Sequence, residues 1–287
     1  MKRTSLQTKI SIIGSGVVGE ATGIGFQMHG NEVIFHDIDP KKLVLLEKKG
    51  YNVSRNILEA VSNSVVSFIC VQTPTIGGQL DLKYIERATK GVAQGLREKD
   101  DYHIVVVRST VLPFVTRTKI VPLLEQHSEL KVTEDFGVCT NPEFARRSSA
   151  PEDFLNPSRI VIGELDKRSG DLLESLYTDF KARIIRTELE TAEMIKYVAN
   201  CYLATKISFF NEMFIICKKL KLNPHFISEA VSLDPRIGKY GIYGGRPFKG
   251  PCLSKDLEAL INFVKGRKLN PELLSAVSKV NDEINKA

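Results

Sequence analysis

Ile10-Ser11-Ile12-Ile13-Gly14-Ser15-Gly16-Val17-Val18-Gly19 joins an apolar, β-branched run to a Gly-x-Gly-x-x-Gly turn and then to a helical pattern. Glycine-rich hexamers are common by chance, so the context gives this one its meaning. It follows a strand and opens a helix, and a second strand, Val33–His36, ends beside Asp37, 23 residues after Gly14. In such a turn Gly14 takes the tight backbone, Gly16 lets the main chain approach a phosphate, and Gly19 lets the helix lie close on the strand. The first helical turn, with Val17 and Val18, offers unbonded N–H groups and partial positive charge to a diphosphate. A plain structural turn is the alternative, and the context weighs against it. The Asp37 carboxylate would accept hydrogen bonds from ribose hydroxyls and repel a 2′-phosphate. With Ile38 next and no arginine beside it, the site favours NAD over NADP.

The pattern continues downstream. Val65–Val71, Ile104–Val107 and Ile160–Ile162 are further short runs, several apolar without alternation, as strands buried on both faces require. Between the strands, Val17–His29, Lys41–Lys49, Leu82–Glu98 and Phe114–Glu125 carry helical spacing. Strands alternating with helices make a parallel sheet with crossovers. The first part is therefore α/β, a doubly wound parallel sheet of the Rossmann type. Near Thr187 the character changes. From Glu188 to Leu222 there is neither glycine nor proline, apolar residues recur at helical spacing, and Asn223-Pro224 supplies a stop. A shorter helix follows, then a glycine-crowded loop from Asp234 to Pro251, a helix over Leu257–Lys265, and a last helix from near Pro271 to the end. The expected organisation is an NAD-binding domain over residues 1–190 and an all-helical second domain over 191–287, joined by the long helix.

A chain of 287 residues suits two domains, and 43% hydrophobic with 26% charged residues is the balance of a soluble globular protein. No apolar run approaches the roughly 20 residues that span a bilayer, and the stretch before Gly14 is too short for the core of a secretory signal. A cytoplasmic protein without membrane attachment is expected. Cys70, Cys139, Cys201, Cys217 and Cys252 are odd in number, scattered and without CxxC spacing, which suggests reduced thiols and no metal site. The net charge of +6 is spread along the chain without the basic block of nucleic-acid binders. Such a weak bias suits small anions.

Three segments carry groups suited to chemistry. Within Thr191–Asn200, Lys196 and Asn200 stand four apart and project from one helix face. A lysine cation and an amide there can polarise a substrate oxygen and hold a water; a solvated surface lysine is the plainer alternative. Met194, Ile195, Tyr197, Val198, Tyr202 and Leu203 leave the stretch sparse in charge and favour a buried pair. In Gly250-Pro251-Cys252-Leu253-Ser254-Lys255-Asp256 a glycine-rich loop enters a helix, where a thiolate is stabilised as a nucleophile. Cys252 as a small turn filler is the competing reading, and Asp256 either caps the helix or orients water. In Cys139-Thr140-Asn141-Pro142-Glu143-Phe144, just after a fifth strand, Glu143 at the carboxyl edge of the sheet is a general base or an ordinary surface glutamate.

Gly14–Gly19, Thr73-Pro74, Ser109-Thr110-Val111, Asn141-Pro142-Glu143-Phe144, Lys196-Tyr197-x-x-Asn200, Asp234-Pro235-Arg236-Ile237-Gly238 and Cys252-x-x-Lys255-Asp256 together resemble the UDP-glucose/GDP-mannose dehydrogenase family, in order and spacing over essentially the whole chain. The resemblance implies a nucleotide-sugar 6-dehydrogenase of polysaccharide biosynthesis, in which a C6 alcohol becomes a carboxylate and two NAD are reduced. An alcohol gives one hydride readily, whereas an aldehyde needs an added nucleophile before it gives a second. The resemblance makes Cys252 that nucleophile, through a thiohemiacetal and a thioester. It assigns Lys196 to the oxyanion, Asn200 to the reacting oxygen, Asp256 with Lys196 to the catalytic water, and Glu143 to proton transfer or hydrolysis. Thr110 would sit near the nicotinamide and water, and Thr73 would line the cofactor pocket. Glu143, Lys196, Asn200, Arg236 and Gly250 would touch the sugar nucleotide, Arg236 across a homodimer made by the long helix.

The chain also departs from the family. Arg147 stands where a second glutamate is common, and Pro247 and Lys249 replace glycines of the nucleophile loop. The family usually continues into a C-terminal nucleotide-binding domain, expected to be missing here, so a separate chain supplying it is a partner to consider. Two other readings compete. A two-electron β-hydroxyacid dehydrogenase shares the Rossmann domain, the helical domain and the Lys-x-x-x-Asn pair, but a single hydride transfer needs no thiol. A non-catalytic NAD-binding subunit would suit the missing domain and altered loop.

Overall fold

The computed structural model describes residues 7–249 and 252–286, the side chain of Lys286 excepted. The chain separates into two compact units, residues 1–73 with 82–196 and residues 74–81 with 197–287. The strands of the described residues are β1 (Lys9–Ile13), β2 (Glu32–His36), β3 (Asn52–Val53), β4 (Val66–Ile69), β5 (Thr75–Ile76), β6 (Gln79–Leu80), β7 (His103–Val107), β8 (Phe136–Thr140), β9 (Ile160–Glu164) and β10 (Ile184–Glu188). All but β5 and β6 form one sheet in the order β10-β9-β8-β7-β4-β1-β2-β3. Its helices are α1 (Val17–Met28), α2 (Pro40–Lys48), α3 (Ile57–Ser62), α4 (Lys83–Leu96), α5 (Val121–Ser128), α6 (Ala150–Leu155) and α7 (Lys167–Ser175).

The most apolar strands lie at the sheet's centre, where β4, β7 and β8 are buried along their whole length. Phe26 of α1 anchors the core, with its ring 5.1–5.2 Å from those of Phe68, Phe154 and Tyr177. The sheet is largely parallel, as expected of the Rossmann type, with one antiparallel pairing that the sequence did not suggest. β9 runs antiparallel to β8, Thr140 facing Gly163 and Cys139 facing Glu164, and β10 runs parallel to β9. Between β8 and β9 the chain makes a 3-10 turn (Arg147–Ser149) and the short α6, whose Phe154 lies where a Gly25 side chain would be. No crossover returns it to the start of the sheet, so β9 begins beyond the carboxyl end of β8 and runs back, and the β9–β10 pair ends the sheet in reversed direction. β8 also includes Cys139 and Thr140 rather than ending before them.

The long helix is α8 (Leu189–Lys219), and the division between units falls inside it, after Lys196. The second unit adds α9 (Pro224–Ser232), α10 (Leu253–Gly266) and α11 (Glu272–Lys286). Asn223 caps α9 by accepting the His225 and Phe226 N–H groups, so Asn223-Pro224 starts a helix as well as stopping one. α10 begins four residues earlier than the apolar spacing suggested, with Cys252 at its N-cap. The second unit is not all helix. β5 and β6 form a hairpin turned by Gly77 (φ +57°) and Gly78 (φ +76°), the left-handed pair that tight hairpins favour. It is tied to α10 by Thr75 Oγ1 donating to Lys255 O at 3.2 Å and Asn262 Nδ2 donating to Gly78 O at 2.9 Å.

Candidate active site

In the first unit each glycine of the opening turn has a distinct environment. Gly14 has φ +99°, and a Cβ there would lie 2.9 Å from Val71 Cγ1 and 3.0 Å from the Cys70 carbonyl carbon. At Gly19 a Cβ would lie 1.9 Å from Gly14 O. Gly16 is the N-cap of α1, and nothing stands within 4 Å of where its Cβ would be. The main chain at Gly16 is thus open to a ligand, and the half-exposed Val17 and then Val18 follow in the first turn. Glu20 N–H is the first to bond back, to Gly16 O at 2.8 Å, which leaves the N–H groups before it for an anion.

Asp37 follows β2, and its carboxylate accepts from Ser15 N–H at 2.8 Å, Asp39 N–H at 2.9 Å and the Lys42 ammonium at 2.9 Å. Burial pushes this carboxyl up, but the bonds from Asp39, Lys42 and Ser15 outweigh it and hold it below the usual carboxylate range. Asp37 is therefore an anionic acceptor fixed beside the glycine turn, suited to the ribose hydroxyls of NAD. Lys42 escaped the sequence reading; it stands in the first turn of α2, five residues on. Nearby, Thr73 Oγ1 donates to Thr110 O at 2.6 Å and Ser109 Oγ donates to Val71 O at 2.6 Å. Two expected cofactor-pocket residues, Thr73 and Thr110, are thereby joined.

At the carboxyl edge of the same sheet Lys196 meets Glu143. The Lys196 Nζ donates to Glu143 Oε1 at 3.0 Å and to Glu143 O at 2.5 Å, and Glu143 Oε2 accepts from Ala145 N–H at 2.7 Å. Lys196 is 5% exposed, which sets aside the solvated-lysine alternative. Phe144 lies between two cations, with Arg159 3.8 Å and Lys196 5.5 Å from its ring centre. Arg108, buried at the end of β7, donates to both oxygens of Asn141, and Asn141 Nδ2 donates to Val161 O at 2.7 Å. That network fixes the exit of β8 from which Glu143 projects. Arg147 is exposed.

Glu193, one turn before Lys196, was not anticipated. It is buried and accepts from the Phe114 and Thr116 N–H groups at 2.7 and 2.9 Å, holding the turn that follows Thr110. Burial pushes it up to about 7 despite those bonds. Only its spacing from Lys196 hinted at it.

In the second unit Asn200, one helical turn beyond Lys196 on α8, donates from Nδ2 to Asp256 Oδ2 at 2.6 Å. Lys255 Nζ donates to the other carboxylate oxygen of Asp256 at 2.6 Å, and Asp256 is 1% exposed. Lys255 supplies the countercharge that lets this carboxylate be buried. Cys252 ends the loop into α10, and Asp256 N–H donates to its carbonyl at 3.0 Å. Of the five cysteines, Cys252 alone is exposed. Burial pushes Cys70, Cys139 and Cys201 up to about 12, with Asp256 adding to the effect at Cys201. Arg236 is exposed and folds back on Asp234, Nη2 to Oδ2 at 2.6 Å. Lys206 of α8 holds that turn by donating to the Ile237 and Gly238 carbonyls. Gly250 lies outside the described residues.

Residues 44–181 match the NAD binding domain of the UDP-glucose/GDP-mannose dehydrogenase family, and residues 190–283 match its central domain. GDP-mannose 6-dehydrogenase of Pseudomonas aeruginosa is 37% identical over 97% of this chain and 70% of its own length. UDP-glucose 6-dehydrogenase TuaD of Bacillus subtilis is 35% identical over 96% of this chain and 63% of its own. A solved UDP-glucose dehydrogenase from Pyrobaculum islandicum superposes with a TM-score of 0.91 at 34% identity, over 99% of this chain and 70% of that one. With an NAD-binding sheet domain, a helical domain and both family domains matched in order, the chain belongs to the UDP-glucose/GDP-mannose dehydrogenase family.

Proposed function

We propose that the chain oxidises the C6 alcohol of a nucleotide sugar to the uronic acid, with Cys252 as covalent nucleophile. The observation that carries this reading is the asymmetry among the thiols. Cys252 is exposed at a helix N-terminus, while burial holds the thiols of Cys70, Cys139 and Cys201 protonated. NAD, when bound, accepts one hydride at each of two oxidations. Gly14, Gly16, Gly19, Val17 and Val18 form the turn that would hold its diphosphate, Asp37 would hold its ribose, and Thr73 and Thr110 would line the pocket. Glu143, paired with Lys196, takes the alcohol proton, and Lys196 stabilises oxygen as it gains charge. Sγ of Cys252 then adds to the aldehyde carbon. Loss of a second hydride from that carbon leaves a thioester, which water opens to the acid and the thiol. Asn200 is oriented through its bond to Asp256, so its amide oxygen is presented to the reacting hydroxyl, while Asp256 and Lys196 serve the water. Arg236 exchanges Asp234 for a substrate phosphate.

The test counts NADH per sugar with UDP-glucose and with GDP-mannose. Two per sugar is expected, falling to one with released aldehyde in Cys252→Ser. One in the unaltered chain means a two-electron enzyme, and none means an NAD-binding subunit needing a separate chain. The chain is further read as a cytosolic homodimer through α8, where Val198, Tyr202, Phe209 and Ile216 form one exposed apolar stripe. Tyr202→Arg should shift sedimentation to the monomer; a monomeric unaltered chain refutes that part.

A further inference from the structure

We propose that Asn211 and Asn281 are positioning residues for the Cys252 thiol, gripping the loop that delivers it; the inference rests on Cys252 being the nucleophile. Asn211, fully buried on α8, accepts from Gly245 N–H at 2.8 Å and donates to Arg246 O at 3.0 Å. Asn281 on α11 accepts from Phe248 N–H at 2.9 Å and donates to Phe248 O at 3.4 Å. Each side-chain amide meets the main chain as a neighbouring strand would, through one donor and one acceptor. The two grips stand on one frame, since Ser208 Oγ of α8 donates to Val277 O of α11 at 3.1 Å.

The loop's composition fits this arrangement. Gly244 lies so close to α8 that a Cβ would be 2.3 Å from Phe210 O, and Phe248 is 6% exposed. Pro247 falls between the grips and has no N–H to offer; the main-chain groups used belong to Gly245, Arg246 and Phe248. Pro247 can therefore stand in this loop without costing a grip. Four residues beyond Phe248 comes Cys252, which the first turn of α10 fixes from the other side. Along the chain, Cys252 is thus preceded by a stretch held by two buried amides and followed by a helix start.

The chemistry makes the consequence readable. The first oxidation needs no thiol, whereas the second requires Sγ on the aldehyde carbon before the aldehyde departs. A misplacement of about 1 Å costs a bond-forming step about a hundredfold. Asn211→Ala and Asn281→Ala should therefore slow the second oxidation about tenfold or more and the first less than about threefold. NADH per UDP-glucose or GDP-mannose should fall from two toward one, with the aldehyde trapped by semicarbazide. A merely structural role would slow both oxidations alike, and that result, or retention of two NADH at the unaltered rates, overturns the proposal. Should the variants not fold, hydrogen exchange on the unaltered chain decides: the Gly245 and Phe248 amides should exchange about a hundredfold slower than open-loop amides. Free exchange there overturns it. An unaltered chain that never makes two NADH overturns the reaction reading and this inference together, which tells that failure apart from failure of the grips alone.

Discussion

The two glycine-rich segments of this chain are shaped by opposite means. At Gly19 the reason for a glycine is local, because the space denied to a side chain is filled by the carbonyl of Gly14, five residues away. Between Gly241 and Phe248, Gly241 and Gly245 have positive φ, but the space denied to side chains is filled from elsewhere in the chain. Gly241 is pressed by Ile207, Gly244 by Phe210 and Phe214, and the strand-like pairing comes from Asn211 and Asn281. A locally determined turn keeps its motif. A remotely determined loop can lose glycines, as at Pro247 and Lys249, and hold its shape as long as the remote groups persist.

The strongest attempt to break that contrast is Gly19→Ala. A Cβ 1.9 Å from a backbone oxygen has no cheap relief, so a loss of more than about 3 kcal/mol is expected in thermal unfolding, together with loss of NAD binding. Gly16→Ala is its counterpart, with nothing within 4 Å. It should melt like the unaltered chain while calorimetric NAD affinity falls about tenfold, because only the ligand's approach is blocked. Equal melting of the two variants would erase the distinction.

Next comes the turn after Thr110, held by Glu193 from 79 residues away. Its folded value near 7 lies above the ordinary 4.5, so the folded state binds the extra proton. Its contribution to stability is full below about 4.5 and is lost as pH rises through about 7, a swing on the order of 3 kcal/mol. Urea unfolding from pH 5 to 8 should show the unaltered chain losing stability relative to Glu193→Gln. A difference independent of pH would discard the burial argument. The smallest effect is expected at Gly244→Ala, where a Cβ 2.3 Å from Phe210 O should cost about 2 kcal/mol and leave NAD affinity unchanged. Lost NAD affinity would mean that the loop's influence reaches farther than its own packing.

What the sequence disclosed follows the same division. The glycine turn, Asp37 and the buried central strands were legible because their causes lie within a few residues. Ile160–Ile162 reads the same in either direction, so the reversal of β9 left no trace in it. The Gly77-Gly78 hairpin had a local signature that spacing arguments passed over. Motifs singled out Lys196, Asn200, Glu143, Cys252 and Asp256, but not that Lys196 pairs with Glu143 or Asn200 with Asp256, across 53 and 56 residues. Lys42 on Asp37 and Lys255 on Asp256 are close in sequence, yet a lysine near a carboxylate is too ordinary to announce a pairing.

The small hairpin has a consequence for how the chain can be divided. Residues 74–81 belong to the second unit although the first resumes at Leu82, so the backbone passes between units three times. A fragment starting at Tyr197 would keep α10 but lose the hairpin that receives Asn262 through Gly78. No single cleavage therefore yields both units intact. The segment carrying Cys252 is not a detachable module, and any scheme that swaps or grafts it must carry along an octapeptide encoded more than a hundred residues upstream.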